Sequence, residues 1–139
     1  MAYQFAGFLV PTSQDIVSTA ALPDDALRRA ITSPFVGIGV RLPSLIGKAP
    51  PASQVNALAE EIGIAGAPSW LFIAYDTWGC IDSVYAVGVR DGIAFGPFDD
   101  SNVQTVEATF LQAMARIGVD PENALRFKPF ERGFWAPQA

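Results

Sequence analysis

The sequence predicts an α+β fold, in which an antiparallel sheet of four or five strands packs against two main helices. Three runs of strand-forming residues between positions 69 and 98 follow one another with a glycine at each turn, which is typical of a C-terminal meander. Two other segments, 53–62 and 103–117, repeat apolar residues at helical spacing. A chain of 139 residues has the length of one domain, and we expect residues 1–139 to form one.

The N-terminal half is predicted to hold two strands and two helices. Residues 3–10 are rich in aromatic side chains and end at a proline, as a strand does. Residues 23–30 place acids in the first turn and bases in the last turn, which favours a short helix. Residues 35–42 form the second strand. Ser53 is expected to cap a helix that Gly63 ends.

The C-terminal half begins with the meander. Residues 69–76 are apolar on both faces, which predicts a central strand covered on each side. Residues 80–91 and 93–98 supply the next two strands, and Gly92 is expected in the turn between them.

The clearest helix pattern follows the meander. Ser101 and Gln104 have the spacing of a capping box, and an apolar stripe runs from Val103 to Ile117. Residues 126–139 carry four large aromatic side chains without a helical period. We expect this tail to fold back over the sheet, because exposing those side chains would be costly.

Composition excludes several kinds of enzyme. The chain has no histidine and one cysteine, Cys80, so it cannot form a Ser-His-Asp or Cys-His site or a His-ligated metal site. Gly37-Ile38-Gly39 lacks the third glycine of a dinucleotide-binding loop, and Gly47-Lys48 lacks the first glycine of a phosphate loop. The sequence therefore predicts no cofactor.

Charge indicates the kind of partner. The net charge is −5, and residues 71–125 hold two arginines against eight acidic residues, a net of −6. Such a surface repels nucleic acid and attracts a basic partner. No apolar run is long enough to cross a bilayer, and the first residues lack a signal-peptide pattern. We therefore expect a cytoplasmic protein with no nucleic-acid or membrane partner.

Aspartates near the turns are the remaining candidates for chemistry. Asp76 and Asp82 flank the first turn of the meander, where two carboxylates could act as general acid and base. They could also hold a divalent cation together with Asp99 and Asp100. Alternatively, aspartates at such positions accept hydrogen bonds from turn and helix-end N–H groups.

Three segments carry a resemblance to known proteins. The block from Trp70 to Tyr85 (WLFIAYDTWGCIDSVY), together with RDGIAFGP at 90–97 and FERGFW at 130–135, resembles small stand-alone bacterial proteins. Some of these are similar to immunity proteins of polymorphic and contact-dependent toxin systems. The resemblance implies a folded acidic protein that binds a toxin domain and blocks its active site. It covers about half the chain, and it carries over no site residue.

The sequence thus predicts an immunity-type binding protein, either a monomer or a homodimer, whose partner is a cognate toxin domain with a basic surface. An exposed tryptophan among aspartates has the composition of an interface hot spot. The predicted contact residues are Asp76, Trp78, Asp82, Asp99 and Asp100. One alternative is a small hydrolase that uses Asp76 and Asp82, with or without a metal. Another is a homodimeric small-molecule-binding module that uses the aromatic tail.

Overall fold

Six strands form one antiparallel sheet in the computed structural model, which describes residues 2–32, 35–78 and 81–127. The strands are β1 (Ala2–Pro11), β2 (Leu27–Ile31), β3 (Gly37–Arg41), β4 (Trp70–Trp78), β5 (Ile81–Arg90) and β6 (Ile93–Asp100). Their order across the sheet is β2-β3-β1-β4-β5-β6. Within the described residues the helices are α1 (Ala52–Ile62), α2 (Val106–Ala115) and α3 (Pro121–Ala124). The α+β prediction and the meander β4-β5-β6 are confirmed, but the sheet has more strands than the four or five predicted.

The additional strand is β2, in a segment for which the sequence predicted a helix. Leu27–Ile31 pairs with β3, and Arg29 lies opposite Gly39. The predicted helix had favourable charges at its ends but no apolar stripe to bury. Pairing with the neighbouring strand satisfies the same backbone groups, and tertiary context overrides such weak local preferences. The helix prediction for residues 23–30 is therefore wrong.

The two faces of the sheet carry separate hydrophobic cores. Side chains alternate along a strand, so Leu71 and Ile73 of β4 pack with α2 and α3, while Phe72 and Trp70 pack with α1. These four side chains are almost fully buried, as the sequence predicted for a central strand covered on each side. We call the two faces the α1 face and the α2 face.

Helix α1 ends as predicted but begins without a side-chain cap. Gly63 adopts a φ of +91°, the left-handed conformation that a helix-ending glycine favours. Pro51, not Ser53, is the cap residue, and no side chain accepts a hydrogen bond from the first turn. The cap prediction for Ser53 is therefore wrong.

The cap residue of helix α2 is Thr105, four residues after the predicted cap Ser101. The first residue of the helix is Val106, so Ser101 and Gln104 form no capping box and that prediction is wrong. Val103 lies before the helix and is 79% exposed, whereas Val106, Phe110, Met114 and Ile117 are buried as the stripe predicts. After the helix, Gly118 has a φ of +81°, and Val119 N–H donates to the carbonyl of Met114.

The tail is described only at its start. Phe127 is buried in the core on the α2 face, and its ring stacks on Phe35 with centroids 5.9 Å apart. The expectation that residues 128–139 cover the sheet lies outside the described residues, as does Cys80. No described helix has the length and hydropathy needed to cross a membrane, and the longest, α1, has 11 residues.

Candidate functional site

A polar pocket opens on the α1 face, near the turn that joins β4 to β5. Its volume is about 170 Å³, and Ala74 and Tyr85 lie at its base. One wall is the loop at residues 47–49, which precedes α1 and includes Lys48. The remaining polar side chains around the pocket are those of Gln4, Asp76, Ser83 and Asp99. We call this the Asp76–Asp99 pocket.

Strand register places these polar side chains on one face. Gln4 of β1 lies opposite Asp76 of β4, and Asp76 lies opposite Ser83 of β5. Tyr85, two residues further along β5, lies opposite Asp99 of β6. Asp76 lies on β4 and Asp99 on β6, with β5 between them. The two strands are therefore roughly 10 Å apart, which is twice the spacing of neighbouring strands.

An irregularity in β6 turns Asp99 towards the α1 face. Ala86 pairs with Phe98, but Gly88 pairs with Phe95, so β6 has one more residue than β5 over this stretch. An extra residue in one strand reverses the alternation of its side chains. Phe95 and Phe98 consequently pack on the α2 face, while Asp99 lies in the pocket.

Tyr85 connects the base of the pocket to its wall. Its side chain is only 8% exposed, and its hydroxyl donates a hydrogen bond to the backbone carbonyl of Pro50. This bond ties the loop before α1 to strand β5. Burial, followed by the negative charge of Asp99, raises the pKa of Tyr85 above its usual value. The phenol is therefore a protonated donor at neutral pH.

Asp100 lies on the other face and stabilises the start of α2. Its carboxylate accepts hydrogen bonds from the hydroxyls of Thr109 (2.6 Å) and Thr105 (2.8 Å) and from the backbone N–H of Asn102 (2.8 Å). These bonds, that of Thr109 first, lower the pKa of Asp100. A carboxylate at the beginning of a helix is also favoured by the helix dipole. This arrangement takes the place of the predicted capping box.

Asp82 does not line the pocket. Asp76 pairs with Ser83 and Thr77 with Ile81, so Asp82 is the extra residue of a bulge. Asp82 Oδ2 is buried and accepts no hydrogen bond from the described residues. The backbone of Trp78 belongs to β4, and its side chain lies outside the described part of the chain.

The structure thus brings together two of the five predicted contact residues, Asp76 and Asp99. The pairing of Asp76 with Asp82 that the hydrolase hypothesis requires does not occur in this pocket, because Asp82 does not line it. A role in partner binding for the five residues stays a prediction.

Sequence reasoning missed four polar residues of the pocket. Ser83 and Tyr85 alternate along a strand that the sequence did predict, so their shared face was a usable signal. Gln4 is the equivalent polar position in β1. Lys48 gave no signal, because it lies in a loop that only the folded chain brings to the sheet.

The pocket can attract a cation. Two aspartates and one lysine line it, which leaves an excess of one negative charge. In residues 2–32, 35–78 and 81–127, no group of three or more acidic, cysteine or histidine side chains could hold a metal ion. No protein-family model, no curated protein and no solved structure matches this chain.

Proposed function

We propose that this chain is a cytoplasmic binding protein of the immunity type, which neutralises a cognate bacterial toxin domain by binding it through the Asp76–Asp99 pocket and the surface around it. The observation that carries the proposal is the position of two carboxylates, Asp76 and Asp99, around one solvent-open pocket. Charged groups held on strands are prearranged for a partner of opposite charge, which favours specificity and fast association.

Pocket size supports a protein partner over a small-molecule ligand. Pockets that bind small molecules usually enclose about 300–1,000 Å³. The Asp76–Asp99 pocket measures about 170 Å³, which suits one inserted side chain better than a cofactor. Its excess of negative charge favours lysine or arginine as that side chain.

One of the three segments that carry the resemblance described above, residues 70–85, falls on the same part of the fold. The block from residue 70 to residue 85 forms β4 and the first half of β5. This hairpin contributes Asp76, Ser83 and Tyr85 to the pocket. This segment of the resemblance therefore supplies three of the six polar side chains named above for the pocket.

The first experiment identifies the partner. The tagged protein is purified from its native cell, and co-purifying proteins are compared with those of an unrelated acidic protein of similar size. Each enriched protein is then expressed with and without the chain. A toxin domain that stops growth alone, and fails to do so when the chain is present, is the expected result. Unchanged toxicity for every enriched protein would contradict the proposal.

The second experiment locates the contact. Asp76→Asn and Asp99→Asn should each weaken binding of that partner by about tenfold, because each removes one charge-assisted contact. Trp78→Ala tests the predicted hot spot. Glu107→Gln removes the same charge from an exposed position on α2 and is the matched control. Unchanged affinity in both aspartate variants, with folding intact by circular dichroism, would remove the pocket from the interface.

A further inference from the structure

Two further pockets lie on the α2 face, beside the turn that joins β5 to β6. The two pockets have volumes of about 270 Å³ and 220 Å³, and they share Arg90, Asp91 and Arg116. Ile93 and Phe95 line the larger one. We call this region the Arg90–Arg116 cleft. It lies on the opposite side of the sheet from the Asp76–Asp99 pocket.

The backbone that carries Arg90 is held firmly. Asp91 and Gly92 both have positive φ, +50° and +81°, as the two central residues of a tight hairpin turn do. Asp91 N–H donates to Ser69 Oγ at 3.0 Å, and Gly92 N–H donates to the carbonyl of Pro68 at 3.0 Å. The turn is thereby fixed to the start of β4, and the cleft has a defined shape.

Among residues 2–32, 35–78 and 81–127, the contacts that position the two guanidinium groups use few of their N–H donors. Arg90 donates one hydrogen bond, from Nη1 to the carbonyl of Ala115 at 3.4 Å. The Arg116 guanidinium lies over the rings of Phe95 and Phe98, with Cζ 5.5 Å and 6.0 Å from their centroids. Each arginine has five N–H donors, and a contact through the flat face of the group uses none of them.

The local charge is positive in an acidic protein. Asp91 Oδ2 is 4.0 Å from Arg90 Nε, and the Asp91 side chain is 82% exposed, so this ion pair is weak. Among the described residues Arg116 has no carboxylate within 4.0 Å. The carbonyl end of α2 attracts cations, which accounts for part of the clustering of the two arginines. It does not account for Ile93, which is 73% exposed beside the two arginines.

We propose that the Arg90–Arg116 cleft binds an oxyanion, a phosphate or a carboxylate, that is attached to an apolar group. The two guanidiniums provide paired N–H donors, which suit the planar carboxylate and the phosphate oxygens. The apolar part of the ligand contacts Ile93 and the ring of Phe95. The cleft shares no residue with the pocket on the α1 face, so this proposal does not rest on the proposed function.

The test uses the full chain and three probes, namely inorganic phosphate, phenyl phosphate and benzoate, each against sodium chloride at equal ionic strength. Binding is followed by the arginine Nε–H signals in NMR spectra. Phenyl phosphate and benzoate are expected to shift the signals of Arg90 and Arg116, and the tighter of the two identifies the oxyanion. Phenyl phosphate should bind more tightly than inorganic phosphate, because only the former contacts the apolar wall.

Variants assign the binding to the cleft. Arg90→Gln and Arg116→Gln should each weaken binding by about tenfold or more, since each loses charged hydrogen bonds. Arg116→Lys keeps the charge without the fork of donors and should also weaken it. Arg126→Gln removes an equal charge from an exposed position outside the cleft and should have no effect. Absence of signal shifts with all probes at tens of millimolar, or equal binding by Arg116→Gln and Arg126→Gln, would overturn the proposal.

Discussion

Replacing Val106 by alanine should destabilise the protein, whereas the same replacement at Val103 should not. The two valines are three residues apart and belong to one apolar stripe in the sequence. In the structure Val106 is 2% exposed at the first turn of α2, and Val103 is 79% exposed before the helix begins. The pair is therefore a direct test of where α2 starts.

The magnitude follows from the burial of Val106. Two buried methyl groups contribute about 0.8 kcal/mol each. The cavity left in the core adds about 1 kcal/mol, and the higher helix propensity of alanine offsets about 0.5 kcal/mol. The net loss in the free energy of unfolding is about 2 kcal/mol for Val106→Ala. Val103→Ala should change it by less than about 0.5 kcal/mol, as at other exposed positions.

Urea denaturation followed by tryptophan fluorescence measures both values. The slope of the free energy against urea should stay the same in the two variants, which indicates that the native state remains equally compact. Equal losses at the two positions would mean that the helix extends back to a cap at Ser101. That result would refute the position of α2 and the role assigned to Asp100.

Three further predictions test the fold and the alternatives. Asp100→Asn should destabilise the protein at neutral pH, because the pKa of Asp100 is lowered in the folded state. The difference in the free energy of unfolding from wild type should persist above about pH 4 and shrink as the pH falls below it. Urea denaturation at pH 7 and at pH 3 measures this difference. Gly88→Ala should lower the free energy of unfolding by about 1–3 kcal/mol, because the new Cβ would lie 2.3 Å from the Trp70 carbonyl oxygen. Gly66→Ala is the control: its Cβ meets no atom within 4 Å, and the same assay should show almost no change. Millimolar magnesium, calcium or manganese should leave the melting temperature unchanged; an increase that Asp76→Asn abolishes would support the hydrolase alternative.

Strands with a strong apolar pattern could be predicted from the sequence, and weakly patterned segments could not. Within the run at 69–76, residues 70–75 are apolar or aromatic at every position of both faces, which favours a covered central strand. Residues 27–31 (LRRAI) place two adjacent arginines between apolar residues, and a segment this short fits either a helix or a strand. The neighbouring strand β3 decides between them by pairing, and that information is not local.

The candidate site could be predicted only in part, because bulges decide which face a residue occupies. Strict alternation along β6 puts Asp99 on the same face as Phe95. The extra residue between them in the sheet register puts the two side chains on opposite faces. A similar bulge at Asp82 shifts the start of β5. The sequence indicates the aspartates as candidates, but their grouping in the sheet depends on features that no local pattern indicates.

A single sheet that carries a core on each face also determines how the protein can open. Loosening α1 removes the cover from Phe72 and Phe8, yet Leu71 and Leu9 on the reverse of the same two strands remain packed against the other layer. The backbone amides of β1 and β4 therefore exchange with solvent only when both layers have come apart. Those amides are expected to be the slowest to exchange in deuterium oxide, while the outer strands β2 and β6 exchange through smaller openings.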